Sequence, residues 1–206
     1  MAEPAGLHRP RMGVSAVERQ RIRKHALVSA GFDLFGTRGI AAVTIEEVCR
    51  NAKLNKRYFY ESFESIDALA TAVVNKTLRD LGTGLIPHVL AGGMANPRPA
   101  VDYFVRTVMS DPRLARLLFV EVDTGGLAHQ RKRFIDLAVD LWTGADPKMP
   151  NDPRQREVVR MGAYGYGGAC REIIIATLNG KLNFTVDEVV DHLTKLLEKL
   201  VAQQIS

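Results

Sequence analysis

Apolar residues recur at spacings of three and four positions over most of the chain, and this period is typical of amphipathic α-helices. The first such stripe predicts a helix that begins near Ser15 and ends between Gly36 and Gly39. Its members are Leu27, Ala30, Gly31, Leu34 and Phe35. Neither alternating apolar and polar positions nor hairpin dipeptides stand out in the sequence. The pattern therefore predicts an all-α fold.

Two short helical patterns with a tight turn between them occupy residues 44–63. The apolar stripe of the first consists of Ile45, Val48, Cys49 and Ala52. Thr44 and Glu47 have the spacing of a capping box, which marks the start of that helix. Asn55 can cap a second helix that carries basic and aromatic residues in its first turns. This arrangement predicts a helix-turn-helix, in which the N-terminal part of the second helix reads DNA.

Further helices are expected beyond the helix-turn-helix, because apolar stripes continue between caps, prolines and glycines. Ser65 would cap a connector helix that ends near residues 82–84. The helices expected after the connector span residues 84–91, 98–110, 112–123, 126–143, 153–180 and 186–203. The predicted divisions are a disordered basic arm at 1–14, a helix-turn-helix domain at 15–63, and a helical domain at 64–206 whose first part, 64–82, is the connector.

The last two helical patterns are more apolar than the core of one monomer requires. Residues 154–179 are apolar on nearly every face and contain four glycines, which suggests that another backbone approaches closely. We therefore expect these helices to pair across a two-fold axis, as a four-helix bundle in a homodimer. The predicted contact residues are Gly165, Gly168, Ile174, Val190, Leu193 and Leu197.

The excess positive charge is concentrated in the N-terminal third of the chain. The net charge is +5 and the isoelectric point is about 9.4. Residues 1–60 hold 11 lysines and arginines against 5 acidic residues, whereas the remainder holds 17 against 18. A basic patch beside a helix-turn-helix is expected of a surface that binds phosphates, although a solvated face alone would explain it equally well. The arm at 1–14 is either a DNA-groove contact or a solvated tail.

Several classes of protein are disfavoured by the sequence. The chain has no stretch of about 18 unbroken apolar residues and no apolar segment of a secretory signal, so we expect a cytoplasmic protein that does not enter a membrane. Cys49 and Cys170 are expected to be buried, reduced thiols. The five histidines show no metal-ligand spacing, and no catalytic triad or cofactor motif is evident. Glycine-rich residues 162–168 follow no strand, which argues against a nucleotide loop. We therefore expect neither an enzyme nor a bound cofactor or metal.

The residues around the helix-turn-helix resemble those of the tetracycline-repressor (TetR) family of bacterial transcription regulators. The resemblance covers about fifty residues and lies in the helix end at 30–39, the start at 44–48, and the positions of Lys56, Phe59, Tyr60 and Phe63. It implies a homodimer that binds a palindromic operator on double-stranded DNA, usually as a repressor. It further implies that residues 64–206 form a ligand-binding and dimerisation domain, and that a small-molecule effector entering it releases the DNA.

The same resemblance assigns roles to individual residues of the helix-turn-helix. Thr44 and Tyr60 would hold phosphates, Asn55 would cap the second helix near the DNA backbone, and the residues facing base edges would be Lys56, Arg57 and Tyr58. The chemistry agrees, since an arginine can bind guanine O6 and N7 with two donors. The alternatives are a packing role for Tyr58 and a solvated side chain for Lys56.

Two residues depart from the family pattern. Lys53 stands where the turn usually has glycine, and it would be strained by very roughly 1 to 2 kcal/mol in a left-handed conformation. Ile66 stands where a phosphate-binding lysine is common. These departures leave open a second function, that of a small-molecule-binding helical protein with weak or non-specific DNA binding. An activator would have the same sequence signature as a repressor.

Large side chains in the C-terminal domain are candidates for an effector pocket, although aromatics at helical spacing are more often plain core. The candidates are Tyr103, Phe104, Phe119, Glu121, Phe134, Trp142 and Tyr164. Glu121 follows an apolar run, and a buried carboxylate needs a partner. That partner would be either a ligand or, as the plainer alternative, an arginine such as Arg106 or Arg171.

Overall fold

A computed structural model of the chain describes residues 15–93, 95–121, 127–144 and 150–204, with the side chains of Arg131, Trp142, Thr143, Gln203 and Gln204 excepted. Within these ranges the chain is helical and contains no strand, which confirms the all-α prediction. The helices are α1 (Ala16–Arg38), α2 (Ile45–Asn51), α3 (Lys56–Tyr60), α4 (Ile66–Gly92), α5 (Arg98–Ser110), α6 (Pro112–Phe119), α7 (Ala128–Gly144), α8 (Pro153–Leu178) and α9 (Val186–Gln204). The predicted arm at 1–14 lies outside the described residues.

Local capping signals place the helix starts close to where the sequence predicts them. Thr44 accepts a hydrogen bond from the backbone N–H of Glu47, and the Glu47 carboxylate accepts from the backbone N–H of Thr44, so the capping box is formed. The side chains of Asn55, Ser65, Asp111 and Asp152 cap α3, α4, α6 and α8 in the same manner. Each cap satisfies backbone donors that the first helical turn leaves free.

The prediction that the connector ends at residues 82–84 is wrong, because α4 continues without a break from Ile66 to Gly92. A glycine inside a helix costs only about 1 kcal/mol, and the buried stripe of Leu81, Leu85 and Val89 continues across the predicted break. Glycine at position 84 leaves room for Tyr103 of α5, whose hydroxyl and ring a Cβ at this position would meet. The segment expected at 84–91 is therefore the second half of α4.

One core cluster joins the N-terminal helices to the rest of the chain. It includes Leu27 and Phe35 of α1, Phe59 of α3 and Leu69 of α4, all of them fully buried. Helix α1 also packs against α6, where the backbone of Gly36 lies so close to Arg113 that a Cβ would collide with it. Arg113 in turn pairs with Asp33 of α1 at 2.7 Å. The position of α1 is thus set by helices of the C-terminal part.

The structure corrects part of the dimer prediction. Four of the six predicted contact residues are buried within the single chain, where α9 packs against α5 and α8. They are Ile174 of α8 and Val190, Leu193 and Leu197 of α9. The apolar stripe of α9 is thus covered by helices of its own chain, and these four side chains offer no surface to a second copy. Gly165 and Gly168 are exposed, and a Cβ at either would meet nothing within 4 Å.

Candidate nucleic-acid interface

Helix α3 is held against the core by one side and exposed on the other. Phe59 is fully buried and contacts Tyr60 edge-on at 5.5 Å between ring centroids and Phe63 at 6.0 Å. The side chain of Asn55 accepts a hydrogen bond from the backbone N–H of Tyr58 at 3.2 Å, which starts the helix. On the outer side Arg57 is 84% exposed and Tyr60 is 58% exposed. The buried phenylalanine therefore orients a cationic and aromatic surface toward solvent.

The turn between α2 and α3 is a Schellman motif with lysine at its left-handed position. The backbone N–H of Leu54 donates to the carbonyl of Cys49 at 2.9 Å, and that of Lys53 donates to the carbonyl of Arg50 at 3.2 Å. Lys53 has φ of 55°, the one positive φ at a non-glycine residue in the described part of the chain. Lys53 thus adopts the left-handed conformation in which strain is expected, and the hydrogen bonds on both sides of it show what maintains the turn.

Acidic residues accompany the basic residues of this surface. Lys56 of α3 pairs with Glu46 of α2, and this contact raises the pKa of the lysine and lowers the pKa of the carboxyl group. The Nε of Arg57 donates to Oε1 of Glu61 at 3.1 Å. Both pairs are solvent-exposed, so each contributes little to the stability of the fold.

Tyr58 is half-buried, and Arg23 of α1 covers its ring. The guanidinium carbon of Arg23 lies 4.3 Å from the centroid of the Tyr58 ring. Arg23 also approaches Glu61 at 3.5 Å between Nη2 and Oε2. The packing alternative for Tyr58 therefore has direct structural support. The base contact assigned to it stays a prediction.

Thr44 lies at the start of α2, and its hydroxyl is engaged in the cap. The hydroxyl donates to Oε2 of Glu47 at 3.0 Å and accepts from the backbone N–H of Glu47 at 3.3 Å. Arg38 pairs with Oε1 of Glu47 at 2.7 Å and donates to the carbonyl of Ala42 at 2.7 Å. The hydrogen bond from Arg38 is the largest cause that lowers the pKa of Glu47 to about 2, and the hydrogen bonds from the backbone and hydroxyl of Thr44 add to it.

Sequence reasoning missed three residues of this surface, namely Arg23, Arg38 and Glu61. The spacing of four between Arg57 and Glu61 was a usable signal, because side chains at i and i+4 of a helix are neighbours. The contacts of Arg23 with Tyr58 and Glu61 join residues far apart in sequence, so no local pattern could reveal them. Arg38 lies only nine residues before Glu47, but the two side chains meet across the turn at Ile40–Ala42, which no helical spacing predicts. Ile66, by contrast, is the first residue of α4 and packs against the core, so its side chain presents no cation to a phosphate.

A second candidate site is an apolar cavity of about 350 Å³ in the C-terminal part of the chain. It is enclosed by residues of α4 to α9, and four predicted ligand residues line it: Phe104, Phe119, Phe134 and Tyr164. Arg171 is the one charged side chain among the described residues of the wall. Its guanidinium donates to the carbonyl of Phe119 at 2.8 Å and pairs with Glu172. The cavity therefore suits apolar groups.

Two predicted ligand residues lie elsewhere, and a third cannot be placed. Tyr103 stacks on His88 at 4.8 Å and faces a different cleft, between α1, α4 and α5. Glu121 is buried, but its carboxylate accepts from Nε of Arg116 at 3.0 Å and from the backbone N–H of Ile40 at 2.9 Å. The side chain of Trp142 lies outside the described residues.

The identity of the Glu121 partner also differs from the expectation. An arginine was the plainer alternative, and Arg116 takes that position, whereas Arg106 pairs with Asp102 at 2.8 Å and with Asp187. Arg116 lies five residues before Glu121, and α6 ends between them at Phe119 instead of continuing to residue 123. Ending the helix there lets the Glu121 side chain turn back to Arg116 and to the backbone of the turn at Ile40–Ala42.

The cysteines are free and buried, as predicted. Burial raises the pKa of both thiols, and that of Cys170 reaches about 12. Within the described ranges no three histidine, cysteine or acidic side chains group as metal ligands would. In the same part of the chain no helix has the length and apolar character needed to span a bilayer.

Comparison with known proteins agrees with this geometry. Residues 27–73 match the family described as bacterial regulatory proteins of the tetR family. The match begins inside α1, contains α2 and α3, and ends within α4. It therefore coincides with the helix-turn-helix and the helices that support it.

Solved structures extend the similarity to most of the chain. A TetR-like transcriptional regulator from Rhodococcus sp. RHA1 is 21% identical, with 87% of this chain and 96% of that chain covered at a TM-score of 0.64. NalD from Pseudomonas aeruginosa, described as the secondary repressor of the MexAB-OprM multidrug efflux pump, is 14% identical, with 88% and 96% covered at 0.65. The fatty acid degradation regulator FadR from Bacillus halodurans is 11% identical, with 85% and 94% covered at 0.67.

At these identities the solved structures establish the helical fold, while the match at residues 27–73 establishes the kind of N-terminal domain. The predicted resemblance is thereby confirmed. Residues 27–73 therefore carry the N-terminal domain of the tetR family of bacterial regulatory proteins, within a helical fold similar to those of solved transcriptional regulators.

Proposed function

We propose that this protein is a cytoplasmic, ligand-responsive repressor that binds a palindromic site on double-stranded DNA as a homodimer. The observation that carries the proposal is the outer surface of α3, where Arg57 and Tyr60 are exposed on a helix anchored by buried Phe59. A rigid helix that presents donors to solvent is what the major groove accommodates. NalD, which has a similar structure, is described as a repressor, and this supports repression over activation.

The roles proposed on DNA follow from exposure and chemistry. Arg57, whose side chain is 84% exposed, contacts guanine O6 and N7. Lys56 and Tyr60 contact phosphates, for which Lys56 exchanges its partner Glu46. Asn55 and Thr44 fix the starts of α3 and α2 at the DNA backbone. Tyr58 supports Arg23 and lies at the edge of the base-reading surface.

The proposed dimer surface is the exposed face of α8. Val158, Met161, Gly165 and Gly168 recur at spacings of three and four, so they share one side of the helix. Met161 is 68% exposed in the single chain, which is unusual for a large apolar side chain in the middle of a helix. A second copy of α8 related by a two-fold axis would cover this face, and the two glycines would allow close approach.

The apolar cavity is the proposed effector site, and its wall suits an uncharged, mainly apolar molecule. A buried carboxylate or ammonium ion would need an opposite charge, and the guanidinium of Arg171 is already engaged by Phe119 and Glu172. The matched probes are N-phenylnaphthylamine, which is uncharged, and anilinonaphthalene sulfonate. The uncharged probe is expected to bind more tightly by at least tenfold, and equal or reversed affinities would refute this ligand class.

Helix α4 offers a route from the cavity to the DNA-reading surface. Leu78, Leu81 and Leu85 line the cavity in the middle of α4. Roughly one and a half to two and a half turns earlier in α4, Leu69 and Val73 touch α1 so closely that a Cβ at Gly31 would be crowded by both. A shift of α4 on ligand binding would therefore be transmitted to α1, and through the core to α3.

The test of the DNA-binding function is a binding selection from random duplexes with the full chain. The expected result is a palindrome with two half-sites, and recovery of unrelated sequences would contradict the proposal. The alternative, a helical small-molecule-binding protein with weak DNA reading, predicts steep salt dependence without sequence preference. A promoter assay with the selected site then separates repression from activation.

A further inference from the structure

Glu61 contacts two arginines, one with each oxygen of its carboxylate. Oε1 accepts from Nε of Arg57 on the same helix at 3.1 Å. Oε2 faces Nη2 of Arg23 on α1 at 3.5 Å. Arg23 itself is stacked over the ring of Tyr58 at 4.3 Å. The carboxylate is thus tied to a second helix while it holds Arg57.

The contact with Glu61 involves Nε of Arg57 and does not involve the terminal N–H donors on Nη1 and Nη2. A guanidinium has five N–H donors, and Glu61 engages the single donor on Nε. The four donors on Nη1 and Nη2 are the pair of edges that bind guanine O6 and N7. Since Arg57 is 84% exposed, this end of its side chain points away from the protein body. Glu61 therefore restricts the arginine without occupying the atoms that read a base.

A role in helix stability does not explain Glu61. It is the C-cap residue of α3, where its backbone N–H bonds to the carbonyls of Arg57 and Phe59. The cap hydrogen bonds are made by backbone atoms and do not require this side chain, and a carboxylate at a helix C-terminus is disfavoured by the helix dipole. The negative charge at this position is more simply explained by the two arginines that it contacts.

We propose that Glu61 is a positioning residue that determines sequence specificity, by aiming Arg57 at a base edge and disfavouring its use on phosphates. The proposal rests on the DNA-binding function proposed above. A guanidinium held in one orientation can bind one base with good geometry. A guanidinium that moves freely can also bind phosphate oxygens, which are present in every sequence. The carboxylate adds repulsion, because a phosphate that approaches Arg57 also approaches Glu61.

The test compares Glu61→Gln with Glu64→Gln in the full chain. Both variants remove one negative charge at nearby positions, but Glu64 is exposed and makes no ion pair or hydrogen bond within the described residues. Affinity is measured for the duplex recovered by selection and for a scrambled duplex, each over a range of salt concentrations. Glutamine preserves the size and a hydrogen-bond acceptor, so both variants should fold, and this is checked by thermal unfolding.

Glu61→Gln is expected to lower the ratio of specific to non-specific affinity by about threefold to tenfold. Binding to the scrambled duplex should tighten, and its logarithmic salt dependence should steepen by about 0.9 for each additional phosphate that the protein neutralises. Glu64→Gln should tighten binding to both duplexes equally and leave the ratio unchanged. In an Arg57→Ala background, Glu61→Gln should no longer lower the ratio.

Equal effects of the two glutamine variants on the ratio would overturn the proposal, because Glu61 would then act only through its charge. An unchanged ratio in Glu61→Gln would overturn it as well. Either result leaves the DNA-binding function intact, provided that the unaltered chain discriminates between the duplexes. If the unaltered chain does not discriminate, the proposed function fails first, and this proposal fails with it.

Discussion

The strained lysine in the turn before α3 makes a quantitative prediction about stability. Lys53 has φ of 55° and lies at the left-handed position of a Schellman motif. A non-glycine residue in that conformation costs about 1 to 2 kcal/mol, and Lys53→Gly removes this strain. Glycine also makes the unfolded chain more flexible, which costs about 0.4 to 1 kcal/mol. The variant should therefore be more stable than the unaltered chain by about 0.8 kcal/mol, the midpoint of a range that reaches about 1.6 kcal/mol.

Thermal and denaturant unfolding of the ligand-free protein measure this difference. For a chain of this size, each kcal/mol corresponds to a rise in Tm of about 2 to 4 °C. The matched control is Lys53→Ala, which removes the same exposed charge but keeps a Cβ and hence the strain. The alanine variant should lie within about 0.5 kcal/mol of the unaltered chain, as surface substitutions usually do.

The comparison between glycine and alanine decides whether the reasoning holds. If Lys53→Gly is no more stable than Lys53→Ala, the left-handed turn carries no strain. The claim that lysine at this usual glycine position destabilises the fold would then be wrong. Both variants lose the same cation beside α3. They should therefore lose the same amount of affinity for any duplex, and a loss confined to glycine would mean that the turn itself has loosened.

Three further predictions follow from other parts of the structure. Met161→Lys on α8 should convert the proposed dimer to a monomer in analytical ultracentrifugation, whereas Leu90→Lys on α4, with a similar exposure of 65%, should leave the mass unchanged. An unchanged mass for Met161→Lys would remove this face from the proposed interface. Gly167→Leu should weaken binding of N-phenylnaphthylamine by at least about tenfold without lowering Tm, because Gly167 lines the cavity, its Cβ position is open, and glycine is the weaker helix former. Undiminished probe binding would place the ligand elsewhere. Because the pKa of Glu47 is lowered from 4.5 to about 2, its ionised carboxylate stabilises the fold above pH 4.5, and this contribution is lost as the pH falls toward about 2. Glu47→Gln should therefore make the stability fall less steeply on the acid side. Parallel stability curves for the variant and the unaltered chain would contradict the Arg38 contact.

The sequence predicts the helix-turn-helix well because its signals are local. A capping box at Thr44 and Glu47, an asparagine cap and a short apolar stripe lie within a few residues of the structures that they specify. Each such signal satisfies free backbone donors or buries one helical face, so distant residues cannot easily override it. The strain at Lys53 was foreseeable for the same reason.

Long-range packing could not be predicted in the same way. The continuity of α4 through Gly84 depends on the burial of Leu81, Leu85 and Val89 against neighbouring helices. The burial of Glu121 depends on Arg116 and on the backbone at Ile40. Burial of the α9 stripe by α5 and α8 was likewise invisible, because a stripe shows that a face is covered and does not show what covers it. The effector-pocket candidates therefore divided between the cavity, a neighbouring cleft and a structural ion pair.

The measurement that tests the central claim most directly is a repeat of the random-duplex selection with Arg57→Ala beside the unaltered chain. If α3 reads DNA as part of a symmetric dimer, the unaltered chain recovers a palindrome. The variant should then lose a guanine preference at one symmetric position in each half-site, at a cost of about 1 to 3 kcal/mol. An unchanged preference at every position, or uniform weakening on all sequences, would contradict the assignment of Arg57 as a base-reading residue.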